Sequence, residues 1–160
     1  MYSATRTRVS LGEGPDGSLV SQDLSRLVLV VEDEPDIRSM VAEHLQEAGF
    51  DVCQAQTGEI AMQVIRERLP GVVCLDLNLP RISGYEVCEQ IRADLALKDV
   101  SILITSARNS LDAMVFSLEA GADAYLAKPY GLKRLTDEIG RLFELRMRNR
   151  RAAATAPGTR

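Results

Sequence analysis

The sequence predicts an α/β fold in which five short strands alternate with five helices and form one parallel sheet. Three observations support this prediction. Short apolar runs alternate along the chain with segments whose apolar residues recur at helical spacing. The apolar runs are hydrophobic throughout and not only at every second residue, which is typical of strands that are buried on both faces of a sheet. Glycine or proline residues separate many of the segments.

The five strands are short and rich in valine, leucine and isoleucine. We expect them at Leu27 to Val31, Phe50 to Gln54, Gly71 to Leu75, Ser101 to Thr105, and Ala124 to Ala127. Each is followed by a segment with helical periodicity, so that every pair of successive strands is joined by a helix. Such connections are right-handed crossovers between parallel strands, and they place helices on both faces of the sheet.

The helices are predicted from their apolar stripes and their boundary residues. Pro35 fits the first position of the first helix, and Gly49 ends it. The dipeptide Thr57-Gly58 opens the second helix, which Pro70 ends. The other three are expected from Gly84 to about Leu95, from Ser110 to Ala120, and along the stripe of Leu132, Leu135, Ile139 and Leu142.

Composition indicates one globular domain between two tails. Hydrophobic residues make up 46% and charged residues 26% of the 160 residues, which is the balance of a soluble protein. We expect a cytoplasmic protein, because no apolar run approaches the roughly 20 residues of a membrane span and no signal peptide is visible. Residues 1–25 are predicted to be a flexible N-terminal tail and residues 148–160 a flexible basic C-terminal tail. The net charge of −4 gives no indication of nucleic-acid contact.

The cysteines and the single histidine are expected to be structural. Cys53, Cys74 and Cys88 lack the spacing of a disulfide framework or a zinc site and stand among apolar neighbours. We therefore interpret them as small core residues. His44 lies at the edge of the first helix's apolar stripe and is interpreted as a partly packed surface residue.

Polar side chains follow four of the five strands at the point where each strand ends. They are Glu32 and Asp33 after the first strand, Asp76 and Asn78 after the third, Ser106 after the fourth, and Lys128 after the fifth. Ligands of open α/β sheets bind beyond the carboxyl ends of the strands. We therefore expect these groups to form one site.

The chemistry of this set of groups indicates magnesium and phosphoryl transfer. Three clustered carboxylates repel one another and favour a hard divalent cation with oxygen ligands, such as Mg²⁺. An aspartate carboxylate is a known covalent nucleophile toward phosphoryl groups, and Mg²⁺ can hold the group for in-line transfer. Lys128 offers a positive charge to the incoming phosphate, and the Ser106 hydroxyl offers a hydrogen bond to it.

Five stretches of the chain together resemble the receiver domain of bacterial two-component response regulators, the family of CheY. They are Val-Val-Glu-Asp-Glu-Pro (30–35), Leu-Asp-Leu-Asn-Leu-Pro (75–80), Ser-Gly-Tyr-Glu (83–86), Thr-Ser-Ala-Arg (105–108) and Gly-Ala-Asp-Ala-Tyr-Leu-Ala-Lys-Pro-Tyr (121–130). The resemblance covers about residues 26–147, which we take as the receiver domain. It implies a doubly wound sheet with the flavodoxin-like strand order 2-1-3-4-5.

The resemblance also implies a role for each residue of the predicted site. Asp76 would be the phosphoacceptor, and Lys128 would contact the phosphoryl group. Asp33 would bind Mg²⁺ directly, Glu32 would act mainly through water, and the backbone carbonyl of Asn78 would complete the protein ligands. The switch hydroxyl would be Thr105 or Ser106, and the spacing to Lys128 favours Ser106. Tyr125 would be the aromatic residue that moves with it, and Pro129 would follow a cis peptide bond.

The same resemblance implies partners, and two readings of the whole protein stay open. A sensor histidine kinase or a histidine phosphotransfer protein would supply the phosphoryl group, and a downstream protein would receive the signal by contact, without turnover of a substrate. No output domain is visible, so the chain is expected either to act alone or to be the receiver portion of a longer DNA-binding or enzymatic regulator. Met114 and Ala124 depart from the usual dimer pattern, and we expect a mainly monomeric unphosphorylated protein.

Three other functions agree less well with the sequence. A metal-dependent phosphatase also uses an aspartate nucleophile, but it usually has a second aspartate two residues on as a general acid. Asn78 occupies that position here. A receiver that has lost phosphate uptake would not need the acidic triplet and Lys128. A flavin-binding relative of this fold would carry a phosphate-binding loop after the first strand, and none is present there.

Overall fold

The computed structural model describes residues 26–155. The strands are β1 (Leu27–Val31), β2 (Asp51–Ala55), β3 (Val72–Asp76), β4 (Ser101–Ser106) and β5 (Ala124–Ala127). The helices are α1 (Pro35–Glu47), α2 (Gly58–Arg68), α3 (Gly84–Ala93), α4 (Leu111–Glu119) and α5 (Leu132–Thr155), and one turn of 3₁₀ helix spans Leu95–Leu97. The alternation of strands and helices that the sequence predicts is therefore confirmed.

All five strands are parallel and form one sheet in the order β2-β1-β3-β4-β5. The predicted strand order is thus confirmed. Because every strand runs in the same direction, all five carboxyl ends lie at one edge of the sheet. The chain leaves β1 toward β2 on one side and returns to β3 on the other, which opens a crevice at that edge.

Helices cover both faces of the sheet. On one face, Val41 and Leu45 of α1 pack with Leu135 and Ile139 of α5 against β1, β3 and β4. On the other face, apolar side chains of α2 and α3 pack against the same central strands; they include Ala61, Ile65, Val87 and Ile91. β1 and β3 are buried along their whole length, and this explains their uninterrupted apolar sequences.

Local signals in the sequence fix the helix ends. The hydroxyls of Thr57, Ser83 and Ser110 accept hydrogen bonds from backbone N–H groups in the first turns of α2, α3 and α4. Gly49 and Gly121 follow α1 and α4 with φ angles of 89° and 102°, a conformation that glycine adopts without strain. The predicted end of the first helix at Gly49 is confirmed.

Several element boundaries differ from the sequence prediction. β2 and β3 each begin and end one residue later than expected. α3 ends at Ala93 because the Asp94 side chain accepts a hydrogen bond from the Ala96 N–H at 3.0 Å and starts the 3₁₀ turn. α5 continues to Thr155, so that residues 148–155, expected to be part of a tail, are helical. Arginine and alanine, which dominate this stretch, are good helix formers. The predicted tail of residues 1–25 lies outside the described residues.

The cysteines and His44 occupy structural positions. Cys74 and Cys88 are buried, Cys53 is half-buried, and all three are free thiols. Burial raises the pKa of the Cys74 thiol to about 12 and that of Cys88 to about 11, as expected for unreactive core residues. His44 is half-buried, and its Nε2 lies 2.9 Å from the Thr136 hydroxyl, which links α1 to α5. Within residues 26–155, no helix is both long and apolar enough to cross a membrane.

Candidate functional site

The predicted polar residues meet at the carboxyl edge of the sheet. Asp76 is the last residue of β3 and pairs in register with Thr105 of β4, and Ser106 pairs with Ala127 of β5. The backbone N–H of Lys128 donates to the Ser106 carbonyl at 2.7 Å. The neighbouring strand ends thus bring Asp76, Ser106 and Lys128 to one place, next to Glu32 at the end of β1.

Lys128 lies between two buried carboxylates. Its ammonium donates a hydrogen bond of 2.9 Å to Asp76 Oδ2 and another of 2.9 Å to Glu32 Oε2. The side chains of Glu32 and Asp76 are 8% and 6% exposed, whereas that of Lys128 is 23% exposed. Charged groups at such depth are stable only when they are paired. The Lys128–Pro129 peptide bond is cis, as predicted.

Three carboxylates surround a position suited to a cation. Oxygens of Glu32, Asp33 and Asp76 all lie within 4.8 Å of one another. With three negative charges and one positive charge on Lys128, the group carries a net charge of −2 when it is fully ionised. Mg²⁺ has the matching charge, and it prefers oxygen ligands and retains several waters. Asp33 is exposed, so that solvent can reach this position and supply water ligands. The three carboxylates therefore fit Mg²⁺ in charge and in ligand type.

The electrostatics of Glu32 reflect this crowding of negative charge. Burial raises the pKa of Glu32 to about 7, and neighbouring Asp76 adds to the shift although Lys128 opposes it. Burial opposes ionisation of Lys128, but its hydrogen bonds to Glu32 and Asp76 outweigh this effect and raise its pKa. One ammonium therefore does not fully compensate two buried carboxylates. A divalent cation would favour the ionised form of Glu32.

Backbone groups hold the two buried carboxylates in place. Asp76 Oδ1 accepts a hydrogen bond of 2.9 Å from the Asn78 N–H, and Glu32 Oε1 accepts one of 3.3 Å from the Glu34 N–H. The Arg38 guanidinium donates to the Glu32 carbonyl at 2.8 Å and so ties α1 to the end of β1. The orientation of each carboxylate is thus set by main-chain contacts.

Ser106 and Tyr125 both contact the backbone of Arg108. The Ser106 side chain is fully buried, and its hydroxyl accepts a hydrogen bond of 3.1 Å from the Arg108 N–H. The Tyr125 hydroxyl donates to the Arg108 carbonyl. The loop between β4 and α4 is therefore held at one residue by both predicted switch side chains.

The two candidate switch hydroxyls have different surroundings. Thr105 is also buried, but its side chain is engaged with the phenol of Tyr130. Burial strongly raises the pKa of that phenol, and the hydrogen bond with Thr105 partly offsets the shift. Thr105 thus lies beside the half-buried side chain of Tyr130, whereas Ser106 is bonded to the loop that leads into α4.

Sequence reasoning missed three residues that shape this site: Arg38, Gly84 and Tyr130. Gly84 begins α3, and a Cβ built there would lie 2.4 Å from the backbone oxygen of Asp76. Only glycine permits this close approach of α3 to the end of β3. The motif Ser-Gly-Tyr-Glu carries the signal, since it places a glycine directly after the helix cap Ser83. Tyr130 ends the stretch 121–130 that resembles receiver domains, but no role was predicted for it, and no sequence pattern singled out Arg38.

Comparison with known proteins agrees with this geometry. Residues 28–140 match the family model of the response regulator receiver domain. Response regulator MprA from Mycobacterium sp. strain KMS is 40% identical over 108 residues, which are 68% of this chain and 46% of that protein. The chain spans less than half the length of the curated relatives that it matches.

Solved structures show the same fold. A putative response regulator from Chloroflexus aurantiacus superposes with a TM-score of 0.71 and 33% identity, covering 74% of this chain and 97% of that one. The chemotaxis protein CheY4 of Vibrio cholerae superposes with a TM-score of 0.69 and 29% identity, covering 72% of this chain and 97% of that one. The strand order and the match over more than half of the sequence show that the chain belongs to the response regulator receiver domain family.

Proposed function

We propose that Asp76 is the phosphoacceptor of this receiver domain. One observation carries the proposal: the Asp76 carboxylate is buried at the end of β3, 2.9 Å from the Lys128 ammonium and within 4.8 Å of the Glu32 and Asp33 carboxylates. No other aspartate among residues 26–155 combines a buried strand-end position with a lysine and an acidic cluster. Receiver domains are signalling phosphoacceptors and generally not enzymes, so we expect no turnover of a separate substrate.

We propose roles for the surrounding residues that agree with their positions. Asp76 provides the carboxylate oxygen that forms a bond to phosphorus as the bond from phosphorus to the donor breaks. Lys128 lies beside Oδ2, where it can neutralise negative charge on the incoming group. The carboxylates of Glu32 and Asp33, with the Asn78 backbone carbonyl, would hold Mg²⁺ together with Asp76. When bound, this ion supplies charge neutralisation and orientation for the transferred phosphoryl group.

The readout would be a change in protein surface. We propose that phosphorylation draws the Ser106 hydroxyl toward the phosphoryl oxygens, which would break its hydrogen bond with the Arg108 N–H. Tyr125 contacts the carbonyl of the same residue, so a shift of that loop would free its side chain to turn inward. The surface of α4, β5 and α5 would then change shape and present a different face to a downstream protein.

Donor and target would both be proteins. A sensor histidine kinase or a histidine phosphotransfer protein would donate the phosphoryl group at the carboxyl edge, where Asp33 leaves the site open to solvent. The target would contact the surface that changes shape. No described feature suggests direct contact with nucleic acid.

The assignment is tested by labelling with acetyl phosphate in the presence of Mg²⁺. The wild-type protein is expected to form a phosphorylated species, which a phosphate-binding gel separates from the unmodified protein. Asp76→Asn should abolish it, whereas Asp36→Asn, an exposed change in the first turn of α1, should leave it intact. Equal labelling of the wild-type and Asp76→Asn proteins would refute the proposal.

A further inference from the structure

A groove separate from the carboxyl edge runs between α3 and α4. We name it the α3–α4 groove; its lining comprises Tyr85 and Glu89 of α3, Arg108 and Ser110 of the preceding loop, and Asp112, Ala113, Phe116, Glu119 and Ala120 of α4 and its cap. Its volume is about 470 Å³. This is large enough for one or two side chains of a bound peptide.

The groove offers an apolar contact at its centre. The side of α4 that faces α3 carries small residues, Ala113 and Ala120, which leave room between the helices. Phe116 stands between them with 62% of its surface exposed, and Tyr85 forms the opposite wall. Aromatic side chains that remain exposed beside a depression are typical anchors of protein interfaces.

The rim of the groove is acidic and unneutralised. Glu89, Asp112 and Glu119 contribute three carboxylates, and Arg108 contributes one positive charge. None of these four residues forms an ion pair with any part of the chain between residues 26 and 155. By contrast, Asp123, which follows α4, is paired with Arg92 at 2.8 Å. A net charge of −2 therefore surrounds the apolar centre.

Contacts near both ends of α3 and α4 fix the walls of the groove to one another. Arg92 of α3 donates to the Gly121 carbonyl at 2.8 Å, directly after α4, and also pairs with Asp123. The Cys88 thiol lies 3.3 Å from the Ala120 carbonyl, and the Tyr85 hydroxyl donates to the Ala113 carbonyl at 3.4 Å. These contacts hold the groove open without a ligand, so a ligand would bind with little cost of reorganisation.

We infer that the α3–α4 groove is a docking site for a peptide segment of a partner protein that carries one apolar side chain flanked by lysine or arginine. The apolar side chain would pack against Phe116 and the two alanines, and the flanking cations would face Glu89 and Glu119. The acidic rim disfavours nucleic acid and anionic lipid. This surface lies on the side of α4 that faces α3 and is distinct from the surface of α4, β5 and α5.

The groove also connects to the phosphorylation site. Arg108 lines the groove, and its backbone is bonded to both Ser106 and Tyr125. A peptide that contacts this loop would therefore bind with different affinity before and after phosphorylation. This coupling rests on the proposed function. The docking itself requires no phosphate.

The docking is tested by selecting binders from a random peptide library displayed on phage, with the unphosphorylated full chain as bait. The selected peptides should share an apolar residue flanked by lysine or arginine. Glu89→Lys/Glu119→Lys should lower the affinity for a synthetic copy of a selected peptide roughly tenfold or more. Phe116→Ser should weaken it as well. Glu43→Lys/Glu47→Lys, the same charge change at two exposed positions of α1, is the matched control and should bind like wild type.

Three results would overturn the inference. One is the absence of a basic-apolar consensus among the selected peptides. The second is equal binding by wild type, Glu43→Lys/Glu47→Lys and the groove variants, with folding checked by circular dichroism. Should the chain alone sediment as an oligomer that Glu89→Lys/Glu119→Lys dissociates, the occupant is a second copy and the proposed partner class is wrong. Asp76→Asn should bind the peptides as wild type does, which separates this test from that of the phosphoacceptor.

Discussion

The Lys128 ammonium lies 2.9 Å from Asp76 Oδ2 and, at the same distance, from Glu32 Oε2. One side chain that follows β5 thus links the ends of β1 and β3. Lys128 holds the two carboxylates together in the unphosphorylated protein and stands where an incoming phosphoryl group would need a positive charge. We therefore expect the same residue to serve both stability and chemistry.

Replacement of Lys128 by methionine should destabilise the protein. The change leaves Glu32 and Asp76 buried beside each other without a cation, and we expect a loss of about 2 kcal/mol in the free energy of unfolding. The loss is smaller than for a fully buried pair because 23% of the Lys128 side chain is exposed. Urea denaturation in EDTA measures it. Unchanged stability would show that the pair contributes nothing, and Lys133→Met, at an exposed ion pair, provides the comparison.

Magnesium should stabilise the wild-type protein through the acidic cluster. A ligand that binds only the folded state raises the free energy of unfolding in proportion to the logarithm of its concentration. Asp33→Ala removes one of the three carboxylates and should abolish most of this effect, and Glu32→Ala should do less if Glu32 acts through water. Thermal unfolding at increasing Mg²⁺ concentration measures the stabilisation of both variants. An Asp33→Ala protein that Mg²⁺ stabilises as strongly as wild type would contradict the proposed ligand set.

Ser106→Ala should separate phosphorylation from its readout. The variant retains Asp76 and Lys128 and is expected to accept phosphate, though more slowly, while α5 no longer responds. Amide NMR spectra with and without beryllofluoride, a mimic of the phosphoryl group, provide the measurement. If α5 signals shift as fully in Ser106→Ala as in wild type, Ser106 is not the coupling residue. Thr105, which contacts Tyr130, would then be the next candidate.

The close approach of α3 to β3 should make Gly84 intolerant of a side chain. A Cβ at this position would lie 2.4 Å from the Asp76 backbone oxygen. We expect Gly84→Ala to cost roughly 1–3 kcal/mol in unfolding free energy and to slow phosphorylation, because the end of β3 must shift. Gly140→Ala is the control, since nothing lies within 4 Å of its Cβ position in α5. It should stabilise the protein by up to about 1 kcal/mol. Equal stability of both variants would show that the contact is relieved without strain.

The sequence was sufficient for the architecture because each strand and helix carries its own local signal. The apolar run of β3 specifies a buried strand, and the cap residues Thr57 and Ser83 start α2 and α3. Each of these signals involves only a few neighbouring residues. The convergence of Asp76, Ser106 and Lys128 followed from the parallel sheet, which brings all strand ends to one edge. The individual roles of these residues came from the resemblance to receiver domains, and they remain predictions.

The features that the sequence did not predict depend on contacts between distant segments. Arg38 reaches a backbone carbonyl at the end of β1, and Tyr130 contacts Thr105 from the loop after β5. Neither residue type nor spacing distinguishes such residues from ordinary surface or core positions. The extension of α5 past residue 147 was missed because the alanine, threonine, proline and glycine of residues 152–160 suggested a tail, although alanine and arginine favour helix.

Chemical trapping of the phosphorylated residue tests the central claim most directly. An aspartyl phosphate is reduced by borohydride to a stable homoserine, which peptide mass spectrometry assigns to one position of the chain. After treatment with acetyl phosphate and Mg²⁺, the modification should be found at Asp76 and at neither Asp33 nor Glu32. Reduction mapped to another residue, with Asp76 unmodified, would contradict the account.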